Sequence, residues 1–510
     1  MRKHSFPLAL PRTFPIVLAV TLLAAGCTLA PHYERPAAPV ASSFPSGAAY
    51  SKDTASQAGQ TATVDIGWRD FLGDPQLQKL VELSLQNNRD LRVAVLNVQA
   101  SRAQYRIERA ALFPTISGTA SETRSRTPLN LSSSPTAYAA EYNVGMSAQW
   151  EIDFFGKLQS LKNQALYQYL ATAQARKAAE ILLVSEVANQ YLTLRAADEQ
   201  LKVTQETMQS AQESYRLAKV QFDTGTGSEL DLREAETVID QAQANYQAQI
   251  RSRAQAEDQL VLLVGQPLPA DLPAPMALDD QKILSDIPAG LPSDLLTRRP
   301  DIMQAENTLQ AANANIGAAR AAFFPNITLT ASGGSASPTL GGLFKAGTAA
   351  WSFAPDLTVP IFSAGSNLAN LDLAHIQKNI AIAQYEKAIQ TAFQEVADGL
   401  AARGTYDAQI TALEHNTYAN QRTLDLSTLR YKSGVDSYLT VLTAQTGLYT
   451  AQQTLITTRL ARLTSLVNLY SDLGGGWVQH TGDQPREADT PAQYDAPASG
   501  AAAAVGNKAS

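Results

Sequence analysis

The 510-residue chain holds one cysteine and five histidines. A single thiol excludes a disulfide framework and any zinc site built on paired cysteines. His4, His32, His375, His415 and His480 stand far apart, none with a second histidine at metal-ligand spacing, and read as surface residues. No Gly-x-Ser-x-Gly elbow occurs, and no glycine-rich loop ends in Gly-Lys-Ser or Gly-Lys-Thr. Gly225-Thr226-Gly227-Ser228 precedes a helical stretch, but no lysine follows, so it reads as a turn rather than a phosphate cradle. We therefore expect neither an enzyme nor a cofactor or metal. Basic clusters are missing too, and the formal net charge is −7, which argues against nucleic acid. After residue 26 no apolar run approaches the ~20 residues of a membrane helix, so any membrane crossing must use strands.

The two ends are distinctive. Residues 1–26 read as a secretory signal, with Arg2, Lys3 and Arg12 ahead of the apolar run Ile16 to Leu23 and the small residues Ala24, Ala25 and Gly26. Its removal takes away three basic residues and no acidic one, leaving 37 Lys and Arg against 47 Asp and Glu, a net −10. The next residue is the lone Cys27. Leu23 to Cys27 resembles a bacterial lipoprotein lipobox, which would make Cys27 the acylated first residue of the mature chain; the other reading is an ordinary signal with a chance cysteine. Thr28 rather than Asp at the following position resembles lipoproteins sorted to the outer membrane. Residues 28–64, rich in Pro, Ala, Ser and Thr, read as an extended tether. The polar, low-complexity stretch after Trp477 reads as disordered.

Between the ends the chain repeats itself. Asp90 and Leu91 match Asp301 and Ile302, and Phe113 to Ile116 match Phe324 to Ile327, both at a separation of 211. Phe155 pairs with Phe362 at 207; Gly225 with Gly434, and Leu232, Ile239 and Leu260 with Val441, Leu448 and Leu469, at 209. Six prolines between Pro267 and Pro292 punctuate the join.

Each copy contains very long helical stretches. Lys157 to Thr224 runs 68 residues without Gly or Pro, roughly 100 Å as one helix. Val187, Leu194, Leu201, Met208, Tyr215 and Phe222 recur every seven residues, and Ala197, Thr204, Ala211 and Ala218 follow four of them three places on. Large answered by small in heptad register is coiled-coil packing with close helix approach. After Gly225 the heptad resumes at Leu232, Ile239 and Tyr246, and the second copy does the same around Gly434. Each half thus ends in a helical hairpin. A bundle inside a soluble domain fails on length, since such helices usually run about 8–20 residues.

Each copy also carries strand patterns. In Tyr142–Phe154 every second residue is apolar, with Tyr142 and Phe154 at the ends and Trp150 near the second. A tilted transmembrane strand needs ~9–11 residues with this alternation and interfacial aromatics. Trp351, Phe353, Leu357, Val359 and Ile361 alternate likewise, weakened by Pro355 and Pro360. Partner strands begin after Pro114 and Pro325. A soluble sandwich shows the same period, but four strands close no barrel. Either the sheet packs elsewhere or several chains pool their strands.

Several motifs together carry a resemblance. They are Trp68 to Pro75 (Trp-Arg-Asp-Phe-Leu-Gly-Asp-Pro), Gly290 to Ile302 (Gly-Leu-Pro-Ser-Asp-Leu-Leu-Thr-Arg-Arg-Pro-Asp-Ile) and Ala311 to Gly317 (Ala-Ala-Asn-Ala-Asn-Ile-Gly). With them go Phe324-Pro325, Val359 to Phe362, Arg430 to Asp436 and Gly474 to Trp477. The chain resembles the outer membrane efflux protein (TolC-like outer membrane factor) family, in its lipoprotein, NodT-type branch, over about residues 27–477. The resemblance implies a mainly α fold with a membrane β-barrel portion: a homotrimer whose twelve pooled strands form a β-barrel, continued by a twelve-helix α-barrel. Such ducts sit lipid-anchored in the outer membrane, reach into the periplasm and dock on a periplasmic adaptor and an inner-membrane transporter. The expected organisation is a signal (1–26), a lipid-anchored tether (27–72), a first repeat (73–265; strands about 114–155, hairpin 157–264), an equatorial linker (266–290), a second repeat (291–473; strands about 325–362, hairpin 366–473) and a disordered tail (474–510).

The resemblance also places the functional residues at the hairpin tips, because a conduit must be shut when no pump is attached. It implies a hydrogen bond from Tyr431 to Asp231 that holds the inner hairpin, and an apolar constriction at Leu439. Thr440 and Thr443 stand where relatives place aspartate rings, with Asp436 and Asp223 as nearby charge. Gly225 and Gly434 are the expected adaptor contacts, since only a small residue lets another hairpin come close. Drug, metal and type I protein export all fit such a duct, the cargo being set largely by the pump. A structural coiled-coil lipoprotein spanning the periplasm is the competing reading; it explains Cys27 and the helices but not the four strands.

Overall fold

A computed structural model describes residues 28–50, 61–126 and 138–483. The signal, Cys27 and residues 484–510 lie outside the described residues. In chain order the elements are α1 (Trp68–Phe71), α2 (Pro75–Asn87), α3 (Arg89–Ala110), β1 (Thr115–Arg126), β2 (Tyr138–Ile152), α4 (Lys157–Asp223) and α5 (Glu229–Val264). Then come α6 (Pro292–Arg298), α7 (Pro300–Ala321), β3 (Asn326–Ser337), β4 (Ala349–Thr358), α8 (Ser366–Lys432) and α9 (Tyr438–Asp472). The chain is thus mainly helical, and α4 and α8 are each 67 residues long. Two compact units cut across the sequence repeats. One gathers the chain up to Ala37 with Gln99–Ala171 and Ala305–Tyr385; the other gathers Ala38–Val98, Thr172–Gln304 and the chain from Glu386. The four strands of the two repeats complete one ladder in the first unit, together with the helical segments next to them, while most of the long hairpins fall in the second.

The first unit is built on one antiparallel sheet in the order β1-β2-β3-β4. Its registers sort the faces. Ser117, Ser147, Ser332 and Ser352 form one row, in which Ser117 bonds Ser147 and Ser332 bonds Ser352, both at 2.8 Å. Adjacent in register, on the opposite face, is the row Ile116, Ala148, Ala331 and Phe353. The large apolar side chains stay uncovered: Met146 is 62 % exposed, Trp351 83 % and Phe353 60 %. A soluble sandwich would bury this face. β2 begins four residues before Tyr142 and ends at Ile152, so Phe154 falls in the turn that follows. Pro355 sits inside β4, an edge strand of this chain's sheet, the kind of strand to which proline is confined.

The tether is not free where it is described. Residues 28–35 lie along α7: Thr28 bonds Ser160 at 3.3 Å, Arg320 donates to the Leu29 carbonyl and Asn313 to the Pro31 carbonyl. Tyr33 and both arms of the Arg35 guanidinium converge on the carboxylate of Glu306. A Cβ at Gly317 would come within 2.8 Å of the Ala30 backbone. The Ala311–Gly317 motif is therefore a docking face for the N-terminal arm.

In the second unit the helices pack small residues inward. Ala197, Thr204, Ala211 and Ala218 of α4 are 1–5 % exposed; of the large heptad residues Val187 and Leu194 are buried as well, while Phe222 near the tip is 40 % exposed. The sequence reading of 474–510 as a disordered tail is corrected for its first ten residues. Trp477 is 1 % exposed, with the Arg176 guanidinium and the Lys177 ammonium each 5.2 Å from its ring centroid. Val478 and Gln479 carbonyls accept from the backbone N–H groups of Trp68 and Arg69. Tyr470 stacks on Phe71 at 3.9 Å and donates to the Ile66 carbonyl. Burying an indole and its cation partners offsets the ordering of a polar strap that composition alone marks as loose.

Candidate functional site

Both hairpin tips are in the second unit and turn on a left-handed glycine, although only the first has a side-chain cap on the helix that follows. In the first, α4 ends when Gly225 takes φ +73, and the Gln221 carbonyl accepts from the N–H groups of Thr226 and Gly227. Ser228 then caps α5 by accepting from the Asp231 N–H at 3.1 Å. In the second, Gly434 takes φ +71 and the Arg430 carbonyl accepts from the Val435 N–H. Nothing lies within 4 Å of a Cβ built on either glycine. The requirement for glycine here is therefore backbone conformation first.

The tips meet over a small apolar cluster. Ala218 of α4, Ala235 of α5 and Tyr438, Val441 and Leu442 of α9 are buried together, with Tyr431 of α8 packed against them. The Tyr431 and Tyr438 rings lie 5.2 Å apart, tilted by 50°.

The expected Tyr431–Asp231 hydrogen bond is corrected. The Tyr431 hydroxyl donates to Gln221 Oε1 at 2.8 Å, the last turn of α4 supplying the partner. Asp231 stays in the first turn of α5, where a carboxylate is favoured by the helix N-terminus, and acts on Tyr431 only at longer range. Burial first, and that carboxylate second, push the Tyr431 phenol above its usual pKa. The Gln221 amide is uncharged and so less penalised than Asp231 by a half-buried position.

The two acids offered as local charge are both taken. Asp436 accepts both arms of Arg430, at 2.6 and 2.8 Å, which holds its pKa below the usual carboxylate range. Asp223 pairs with Lys219 at 3.5 Å. Leu439 and Thr443 share one groove of about 640 Å³ with Leu413, Thr446 and Thr450. The Thr443 and Thr450 hydroxyls donate to the Leu439 and Thr446 carbonyls one turn back. Thr440 is exposed and does not line it. Gln221, Arg430 and Tyr438 were missed by sequence reasoning. The 209-residue register was the available signal, since it aligns Gln221 with Arg430 in matching last turns.

The chain matches the outer membrane efflux protein family over residues 80–266 and 291–475. It is 50 % identical over 480 residues to a toluene efflux pump outer membrane protein, TtgC, of Pseudomonas putida, covering 93 % of this chain and 98 % of that one. It is 42 % identical to the outer membrane protein OprJ of Pseudomonas aeruginosa, over 94 % of this chain and 97 % of that one. Among solved structures, the open state of the Neisseria gonorrhoeae MtrE outer membrane channel superposes with a TM-score of 0.79 at 41 % identity. That match covers 90 % of this chain and all of the other. The chain thus belongs to the outer membrane efflux protein family and serves as an outer-membrane exit duct for efflux.

Proposed function

We infer that three copies pool their sheets into a twelve-stranded barrel and their hairpins into a twelve-helix tube, the exit duct of a tripartite pump. One observation carries this reading: a four-stranded sheet with open edges at β1 and β4, a serine row on one face and uncovered Trp351 and Phe353 on the other. Open edges are a liability that ring closure removes. An apolar outer band around a polar interior is what a membrane barrel requires. Cys27 carries the lipid, and the docking of residues 28–35 on α7 holds the arm that follows it.

The packed tips are the shut end. Tyr431, Gln221 and the Arg430–Asp436 pair hold it, Leu439 and Thr443 line the narrow passage with Thr440 nearby, and Gly225 and Gly434 receive a periplasmic adaptor joined to an inner-membrane transporter. The cargo class is drugs and other toxic small solutes, by likeness to the named efflux relatives. Photo-crosslinking in living cells from Val435, which is 63 % exposed at the second tip, tests the partnership. An adaptor in the adduct supports the duct; capture of only envelope scaffold proteins would favour a structural tether.

A further inference from the structure

The inner side of α9 holds two polar groups that the packed tips leave unsatisfied. Tyr438 is 3 % exposed and Gln445 is 5 % exposed. The Tyr438 hydroxyl and both ends of the Gln445 amide are buried without a hydrogen-bond partner. Ser214 of α4 lies beside the Tyr438 hydroxyl without meeting hydrogen-bond geometry. The two residues are seven apart, so they sit on one face of the helix, two turns from each other. Tyr449, further along α9, reaches the Thr204 hydroxyl at 3.1 Å, whereas beyond it the Gln453 amide nitrogen is also buried without a partner, so the two groups nearest the tip are singled out by their place in the hairpin. The walls are this chain's own: the Tyr438 ring sits in the apolar tip cluster with Ala218, Ala235 and Leu442.

We propose that Tyr438 and Gln445 are positioning residues that bias the hairpin toward release. The packed tip is latched between hairpins by the Tyr431 to Gln221 hydrogen bond, and it strands two groups that regain partners or water once α9 rotates. An adaptor then need not supply the whole of the opening work; it breaks a latch that works against groups already poised to leave. An unmade buried hydrogen bond biases an equilibrium by about five- to thirtyfold. The inference rests on the duct reading, and it gives mutations at neighbouring tyrosines opposite signs.

The test is single-channel recording of the purified full-length protein in planar bilayers, using the Tyr431→Phe variant as the leaky background. Adding Tyr438→Phe keeps the ring and removes the stranded hydroxyl. The expected result is a closed dwell lengthened about fivefold or more relative to Tyr431→Phe alone. Gln445→Met, similar in shape and lacking the amide, is expected to act in the same direction. Unchanged or shortened closed dwells in both double variants would overturn the proposal. Thermal melting of each variant accompanies the recordings, so a tip that fails to pack is recognised and the other variant decides. No conductance from the Tyr431→Phe protein itself would instead overturn the duct reading.

Discussion

Replacing Tyr431 by Phe removes one hydroxyl and leaves the ring in the cluster with Ala218, Ala235 and Tyr438. The lost interaction is the 2.8 Å bond to Gln221 Oε1. A neutral hydrogen bond contributes about 1 kcal/mol net, and the half-buried Gln221 amide can recover water, so no further penalty for a stranded acceptor is added. That is about a fivefold shift toward the open tip per copy. If three copies open together the terms sum to about 3 kcal/mol, or roughly a hundredfold. The assay is the susceptibility of cells to a large antibiotic that enters only through a leaking duct, alongside conductance of the purified protein. Gln221→Met removes the other end of the same bond and is expected to reproduce the leak, and the double variant to leak no more than either single one. Asp231→Asn, which touches no hydrogen bond of Tyr431, is expected to leave the leak near wild type. A large leak from Asp231→Asn with a silent Gln221→Met would refute the assignment of the latch.

Three other outcomes are expected. Trp477→Ala empties a buried indole site under Arg176 and Lys177 and should lower stability by about 3–5 kcal/mol, read from the denaturant midpoint; a loss under about 1 kcal/mol would mean the strap is dispensable. Asp472 is pushed up to about 7 by burial and by Glu395, with Arg299 opposing. Its folded pKa exceeds the unfolded value of about 4, so its contribution to stability is full below that value and declines as pH rises toward 7. Asp472→Asn should therefore be more stable than wild type at pH 8, by at most about 4 kcal/mol, with the difference vanishing near pH 4; the reverse trend in unfolding curves would refute it. Cys27→Ser should abolish incorporation of labelled palmitate, and retained label would place the lipid elsewhere.

What could be read from the residues follows from how local each feature is. The helical arms are legible because Gly156, Gly225, Gly265 and Gly434 stand just outside stretches with little else to break them. The strand pairs are legible because a two-residue period survives in Val144, Met146 and Trp150. β2 begins earlier than its pattern because Ala139 and Ala140 carry no alternation, and ladder pairing with Ser125 and Arg124 extends it regardless. The Ala311–Gly317 motif is visible as a signature, but its purpose needs the arm of residues 28–35, nearly 300 positions away. The same distance hides the Trp477 strap. At the tips, Tyr431 had two acceptors within plausible reach, Asp231 and Gln221. Only the packing of α8 on α4 decides between them, because a carboxylate at a helix start is already well placed where it is.

The most direct test of the central claim is release of a fluorescent uncharged solute from proteoliposomes carrying purified full-length protein, wild type beside Tyr431→Phe. A passive duct with a latched tip should give slow release from wild type and fast release from the variant, with no energy source present. Intact liposomes with both proteins would contradict the duct and leave the long helices as a scaffold.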